Sequence, residues 1–118
     1  ILDVSTVPTA SRTWTATTNP MAVARALHTI TYLPASDKVL VIGGYNNATS
    51  SMLVSTELFT LDTTTPANST WSTTGNKALT LARAMHTSTL MSNGNVLVLG
   101  TYYTTTGTVS NTTEIWTP

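Results

Sequence analysis

The sequence predicts an all-β chain of four-stranded antiparallel units repeated in tandem. Three observations carry that expectation. The chain says nearly the same thing twice: Trp14 recurs as Trp71 and Glu57 as Glu114, each 57 residues on. In the same way Arg25-Ala26-Leu27-His28-Thr29 returns as Arg83-Ala84-Met85-His86-Thr87, and Val39-Leu40-Val41-Ile42-Gly43 as Val96-Leu97-Val98-Leu99-Gly100. A fixed period of this size marks an array of supersecondary units, none able to bury its faces alone. Second, the Val/Leu/Ile runs are short and end at glycine, as strands buried on both faces do. Third, helix signals are nearly absent: Met21 to Leu27 and Ala78 to Met85 are the only helix-like stretches, and both read as loops holding at most one turn.

Each unit then has strands a to d in chain order. Strand a is His28 to Leu33 and again His86 to Met91, with partial alternation and many β-branched residues. Pro34 to Asp37 and Ser92 to Asn95 are turn chemistry, and the second contains Asn93-Gly94, a strong hairpin signal. Strand b is the Val/Leu/Ile run. The polar loops Tyr45 to Ser55 and Tyr102 to Thr112 follow, then strand c at Thr56 to Leu61 and Thr113 to Trp116. Strand d is the segment around each Trp, Arg12 to Thr15 and Thr70 to Thr73. Ile1 to Trp14 lies over Leu58 to Trp71 without a gap, so residues 1–18 are strands c and d of a leading unit. Residues 19–76 form a complete unit, and 77–118 supply strands a to c of a further one. Sheet edges left this way expose unpaired backbone groups unless another chain or segment covers them. The chain opens on Ile1, inside a strand and without a signal peptide, and so reads as a processed product or a segment of something longer.

Only 8% of the residues are charged, with five basic and five acidic side chains that cancel. Thr and Ser fill about a third of the chain. Such a surface offers no electrostatic footprint for nucleic acid and no polybasic patch for lipid. No apolar stretch approaches the ~20 residues that span a bilayer. With no cysteine there is no disulfide, thiolate metal site or cysteine nucleophile. Asn47-Ala48-Thr49, Asn68-Ser69-Thr70 and Asn111-Thr112-Thr113 are N-glycosylation acceptor triplets in loops or at strand edges, whereas Asn19-Pro20 fails the pattern. Low charge, abundant hydroxyls and these sequons point to a secreted glycoprotein bearing N-glycans, and Thr63 to Pro66 and Thr104 to Thr106 suit O-linked sugars by composition.

In order and spacing the sequence resembles the kelch repeat, the blade of one class of β-propeller. The residues that carry it are Arg25/His28 and Arg83/His86, the doublet Gly43-Gly44, the Glu57-Leu58-Phe59 and Glu114-Ile115-Trp116 segments, and the Trp of strand d. The period exceeds the ~50 residues usual in kelch, which is similar to the galactose-oxidase-like, long-repeat branch. Two departures stand out: Gly100-Thr101 replaces the doublet in the second unit, and Thr60 or Thr117 stands where many kelch repeats have Asp. The resemblance implies four-stranded antiparallel blades, about two in this chain. Two blades cannot close a ring, so copies of the chain, or further kelch blades of a longer one, are the expected partners.

The candidate chemistry is mostly structural. Arg25, His28, Gly43, Gly44, Glu57, Trp71, Arg83, His86, Gly100 and Glu114 repeat with their units, whereas catalytic residues usually break a repeat. The arginines are expected to bond carbonyls or the strand-c Glu, since a buried Glu needs a cationic or donor partner. Gly43-Gly44 permits a sharp turn at positive φ, and Trp14 and Trp71 suit the space between neighbouring sheets. Leu2, Phe59 and Trp116 share one repeat position, which argues for core. Asp3, Asp37 and Asp62 sit at strand ends or turns. A copper radical site of the galactose-oxidase kind needs a Tyr–Cys crosslink and is excluded. Tyr45, Tyr102 and Tyr103 are candidates for stacking on a sugar, against simple packing under the long loops. No catalytic residue, metal or cofactor is expected. The leading expectation is a non-enzymatic extracellular propeller segment, a structural or interaction module that builds a propeller, filament or glycosylated fibre from copies of itself. The alternative is a carbohydrate-binding or degenerate carbohydrate-oxidase-like propeller; a cytosolic kelch adaptor fits the low charge and sequons poorly.

Overall fold

A computed structural model describes residues 13–73, 77–102 and 109–118 of the chain. The strands are β1 (Thr29–Leu33), β2 (Lys38–Ile42), β3 (Tyr45–Asn46), β4 (Ser51–Met52), β5 (Thr56–Thr60), β6 (Thr70–Thr73), β7 (Thr87–Leu90), β8 (Val96–Tyr102) and β9 (Val109–Trp116). The fold is all-β and antiparallel throughout. A first sheet has the order β1-β2-β5-β6, a second β7-β8-β9, and β3-β4 form a small hairpin. The four strands of the complete unit thus pair in chain order, as the repeat predicts. No closed barrel or ring is formed among the described residues.

Register sorts the side chains. Thr31 faces Leu40, and Leu40 faces Leu58; Ile30 faces Val41, and Val41 faces Glu57. Period-two alternation therefore puts Thr29, Thr31, Leu33, Leu40, Ile42 and Leu58 on one side of the first sheet. Ile30, Tyr32, Val39, Val41, Glu57, Phe59 and Trp71 lie on the other. The first of these sides packs on the second sheet. Leu33, Leu40, Ile42, Val96 and Val98 form the core between them, flanked by Leu58, Leu79, Leu90 and Trp116. At the β1–β7 seam the Thr31 and Ser88 hydroxyls bond at 2.8 Å, and Thr29 Oγ1 meets His86 Nε2 at 2.8 Å.

The other two sides are open only in part: on the first sheet the incoming loop covers Glu57, and Val41 beside it is buried. Ile30 and Tyr32 are 64% and 55% exposed on the first sheet, and Ile115 is 58% exposed on the second. Burial on both faces, expected of both Val/Leu/Ile runs, therefore holds for Leu40 to Ile42 but not for β8. Val96 and Val98 are buried, while Leu99 is 38% exposed because no third sheet covers its side among the described residues.

Three local expectations are corrected. Residues 13–17 form no strand, and Trp14 is fully exposed rather than wedged between sheets. The Tyr45 to Ser55 loop contains the β3–β4 hairpin, whose turn is held by Asn46 Oδ1 accepting the Ala48 and Thr49 amides. Strand c of the second unit starts at Val109, four residues earlier than expected, because β8 runs on past Leu99 with a register shift at Gly100. Leu2, Asp3 and the strand c expected in residues 1–12, together with Tyr103, lie outside the described residues.

The doublet explains why the two units differ after strand b. At Gly44 (φ +106) an added Cβ would lie 2.6 Å from Ala26 O, and at Gly43 (φ +55) 2.6 Å from Arg83 O. Both obstacles are backbone, so neither can step aside. At Gly100 (φ +69) the nearest atom would be Ser110 O at 3.6 Å, an ordinary contact. Gly44→Ala should therefore destabilise the fold by about 3 kcal/mol or more, and Gly100→Ala by only about 1–2 kcal/mol for its left-handed backbone. Equilibrium chemical denaturation of both variants checks the order; equal losses would contradict the packing account.

Candidate functional site

The repeated polar residues converge on two equivalent centres, one per unit, where the incoming loop meets strands b and c. In the first, Arg25 Nη1 donates to Gly43 O (2.8 Å) and Ser55 O (3.0 Å), and Nη2 to Ser55 Oγ (3.1 Å) and Glu57 Oε1 (2.6 Å). Its Nε reaches Val23 O at 3.4 Å. Glu57 Oε2 accepts the Ala22 amide (2.7 Å) and Oε1 the Val23 amide (3.2 Å). In the second centre Arg83 Nη1 donates to Gly100 O (2.8 Å) and Thr112 O (3.0 Å), and Nη2 to Thr112 Oγ1 and Glu114 Oε1 (3.0 Å each). Glu114 accepts the Thr80 (2.6 Å) and Leu81 (3.1 Å) amides.

The arginine spans the mouth of the b–c loop: Nη1 donates to both carbonyls that close it, while Nη2 turns to the strand-c hydroxyl and carboxylate. The carboxylate pins the incoming loop ahead of strand a. Both side chains of the first ion pair are sealed from water, at 0% and 1% exposure, and the second pair has 0% and 20%. Chemically the centres are saturated: each carboxylate oxygen already accepts, and the guanidinium donors face protein acceptors. Burial pulls the Glu114 carboxyl up, but the Thr80 amide, the Arg83 guanidinium and the Leu81 amide outweigh it and hold it below its usual range. Each centre joins the incoming loop to strands b and c.

The histidines lie beside the glycine doublet, immediately before strands β1 and β7. Gly43 packs against His86 Cε1 and Gly44 against His28 Cβ. Nδ1 of each ring is buried and has no hydrogen-bond partner among the described residues. Burial first, then the Arg83 charge and His28, lowers His86 to about 4. The ring is therefore neutral near pH 7. Among the described residues, no group of three or more His, Cys, Asp or Glu is placed to hold a metal. Backbone bonds knit the two units at the same place. Gly44 N–H donates to Arg83 O (2.7 Å), Leu79 N–H to Val54 O (2.8 Å) and Met85 N–H to Leu27 O (3.0 Å).

The Trp71 ring packs on Phe59 in a tilted pair, 4.9 Å between centroids and 50° between planes, on the side of the first sheet away from the second. Tyr45 is half-buried, and its backbone exchanges two bonds with Ala26. Tyr102 is 40% exposed at the end of β8. No ring contact joins these two tyrosines. Asn47 lies in the β3–β4 turn, Asn68 in the 3-10 turn Pro66–Asn68 and Asn111 in β9; all three are exposed.

Sequence reasoning missed Ser55 and Thr112, hydroxyl residues at one repeat position that complete the arginine shells. It also missed Leu27 and Met85, exposed non-glycine residues at φ 55 and 56 on the turn into strand a. Their identical place in the repeat was the available signal. No protein-family model matches the chain, and no curated protein shows significant similarity to it.

Arg25→Met should cost about 3–5 kcal/mol in chemical denaturation, because Glu57 would be left charged and buried. A loss below ~1 kcal/mol would mean that the centre is not a structural joint. For His86, the unfolded chain takes up a proton near pH 6.5 and the folded chain only near 4. Its contribution is thus complete above pH 6.5 and is lost as pH falls towards 4. Glu114 adds a further loss at lower pH. Denaturation midpoints of wild type and His86→Gln at pH 7.5 and 4.5 should show the variant with the flatter dependence.

Proposed function

We propose that the chain is a kelch-type propeller segment of the long-repeat branch, acting outside the cell as a non-enzymatic structural or interaction module that associates with copies of itself. One observation carries this reading. The contact between the two units is heterologous: the Leu40/Ile42 side of the first sheet packs on the Val96/Val98 side of the second. By the repeat, Val96 and Val98 correspond to Val39 and Val41. The side of the first sheet that carries Ile30, Tyr32 and Val39 is therefore the counterpart of the side already buried on the second. The open Leu97/Leu99/Ile115 side is likewise the counterpart of the Leu40/Ile42/Leu58 side. Each bare face matches a face that already has a partner, so one copy can add to the next as one unit adds to the other. The same seam would offer Thr87 of one copy to His28 of the next, as Thr29 meets His86.

The saturated Arg–Glu centres support a structural role. The exposed sequons at Asn47, Asn68 and Asn111 and the low charge support an extracellular setting. The test uses the chain secreted from a glycosylating host. Intact mass should fall on glycosidase treatment, and light scattering of the deglycosylated chain should show association that rises with concentration. Ile30→Glu should weaken that association by about tenfold or more while leaving the circular dichroism unchanged. An unchanged mass would remove the glycoprotein part, and a monomer at all concentrations the association.

A further inference from the structure

The turn between β7 and β8 carries chemistry of its own. Of the asparagines in the chain, Asn93 alone is followed by glycine. Asn93 is exposed, and a Cβ built on Gly94 (φ +85) would meet nothing within 4 Å. We propose that Asn93 is a self-modifying site: in the folded chain the Gly94 amide nitrogen attacks the Asn93 side chain and converts it to aspartate and isoaspartate.

The loop is closed by Met91 N–H donating to Asn95 O (2.8 Å) and Gly94 N–H donating to Met91 O (3.0 Å). The Asn93 side chain is held as well, its Oδ1 accepting the Asn95 amide at 3.1 Å. That bond draws electron density from Cγ, and it strengthens as Oδ1 gains negative charge during attack. Nucleophile and Cγ belong to neighbouring residues, so the reaction is intramolecular. A glycine nitrogen is the least hindered that the backbone offers, and glycine leaves the chain free to turn towards the ring that forms. The Gly94–Met91 bond must open first; at an exposed hairpin tip this opening is local and leaves the sheet intact. The other asparagines lack one of these features. Asn46 Oδ1 accepts two amides, but the residue after it has a Cβ. Ser69 after Asn68 and Val96 after Asn95 are buried. Thr112 after Asn111 lies within β9, its amide on Ser110 Oγ. Asn19 precedes proline, which has no N–H.

The steps balance with water alone. Gly94 N loses its proton to hydroxide and bonds to Asn93 Cγ. The Cγ–Nδ2 bond breaks, and the nitrogen leaves as ammonia after taking a proton from water. Water then opens the succinimide at Cγ, giving aspartate, or at the backbone carbonyl carbon, giving isoaspartate. Either product adds one negative charge to a chain whose charges otherwise cancel. The two differ in what they do to the turn. Aspartate keeps an oxygen for the Asn95 amide and the same backbone. Isoaspartate inserts a methylene into the backbone between Ser92 and Gly94. The Gly94–Met91 and Met91–Asn95 bonds then no longer fit one short loop. The Leu90–Val96 pair begins just beyond, and Val96 is part of the core, so the strain reaches the packing between the units.

The test ages the folded chain, untreated with glycosidase, in mildly alkaline buffer and follows it by ion exchange and peptide mass mapping. A gain of about 1 Da should appear at position 93 at least about tenfold faster than at any other asparagine, in two isomeric products. Asn93→Gln should show no such gain, and Gly94→Ala, once circular dichroism shows it folded, should slow it by about tenfold or more. Urea well below the unfolding transition should leave the rate nearly unchanged. No gain at 93, or a gain matched at the other asparagines, would overturn the proposal. So would an undiminished rate in folded Gly94→Ala, or a rate that climbs with urea in step with global unfolding, which would place the reaction in the unfolded chain. The separated isoaspartate form should unfold at lower denaturant than Asn93→Asp; equal midpoints would overturn the account of the turn.

Discussion

The buried arginine–glutamate joint is the constraint on which the rest of each unit depends. Taking both ions out of water costs several kcal/mol apiece, and only a full set of hydrogen bonds offsets it. Arg25 meets that demand with Gly43 O, Ser55 O, Ser55 Oγ, Val23 O and Glu57, and Glu57 with two further amides. Those partners come from three stretches of chain that are otherwise free to diverge: the incoming loop, the end of strand b and the start of strand c. Because any missing partner leaves a buried charge or amide unsatisfied, the three stretches are held in one arrangement. Strand pairing and core packing then proceed from a fixed frame. The second centre repeats the design with Arg83, Gly100, Thr112 and Glu114, which shows that the joint belongs to the unit and not to one loop.

Contact between units uses a different logic. Apolar packing between the sheets is reinforced at one end by backbone bonds from the second incoming loop to Val54, Leu53 and Gly44, and along the inner seam by Thr29–His86 and Thr31–Ser88. The glycine doublet sits at that crossing, since only residues without a Cβ let the Ala26 and Arg83 carbonyls approach so closely. An arrangement in which one side of a unit receives the opposite side of its neighbour has no internal stop. It ends only when a ring closes or when a face is covered by something else, which makes the open faces as informative as the packed ones.

Much of this was legible in the residues. The 57-residue repetition, the glycine-ended hydrophobic runs and the turn residues placed strands β1, β2, β5, β6 and β7 nearly to the residue, because alternation and turn chemistry act locally. The pairing of Arg with Glu was legible for a different reason: a buried carboxylate in a chain with so few charges has few possible partners. The β3–β4 hairpin escaped because its strands are two residues long and its sequence is uniformly polar, so no periodicity marks it. The extension of β8 and β9 escaped because the segments after Gly100 and before Thr113 are polar and carry no apolar alternation, and the ladder resumes past Gly100 only through a register shift.

Trp14 draws the line between the two kinds of information. By itself the sequence determined that the chain is all-β, where β1, β2, β5, β6 and β7 lie, and that each strand-c Glu belongs with the Arg of its own unit, because these follow from periodicity, turn propensity and charge pairing within about sixty residues. Which copies of the motif have neighbours was decided only in three dimensions. Trp14 and Trp71 have the same local sequence signal, yet Trp71 packs against Phe59 and Trp14 lies in solvent. The physical reason is that a strand gains most of its stability from the partner beside it and the face behind it, and no local pattern records whether either one is present.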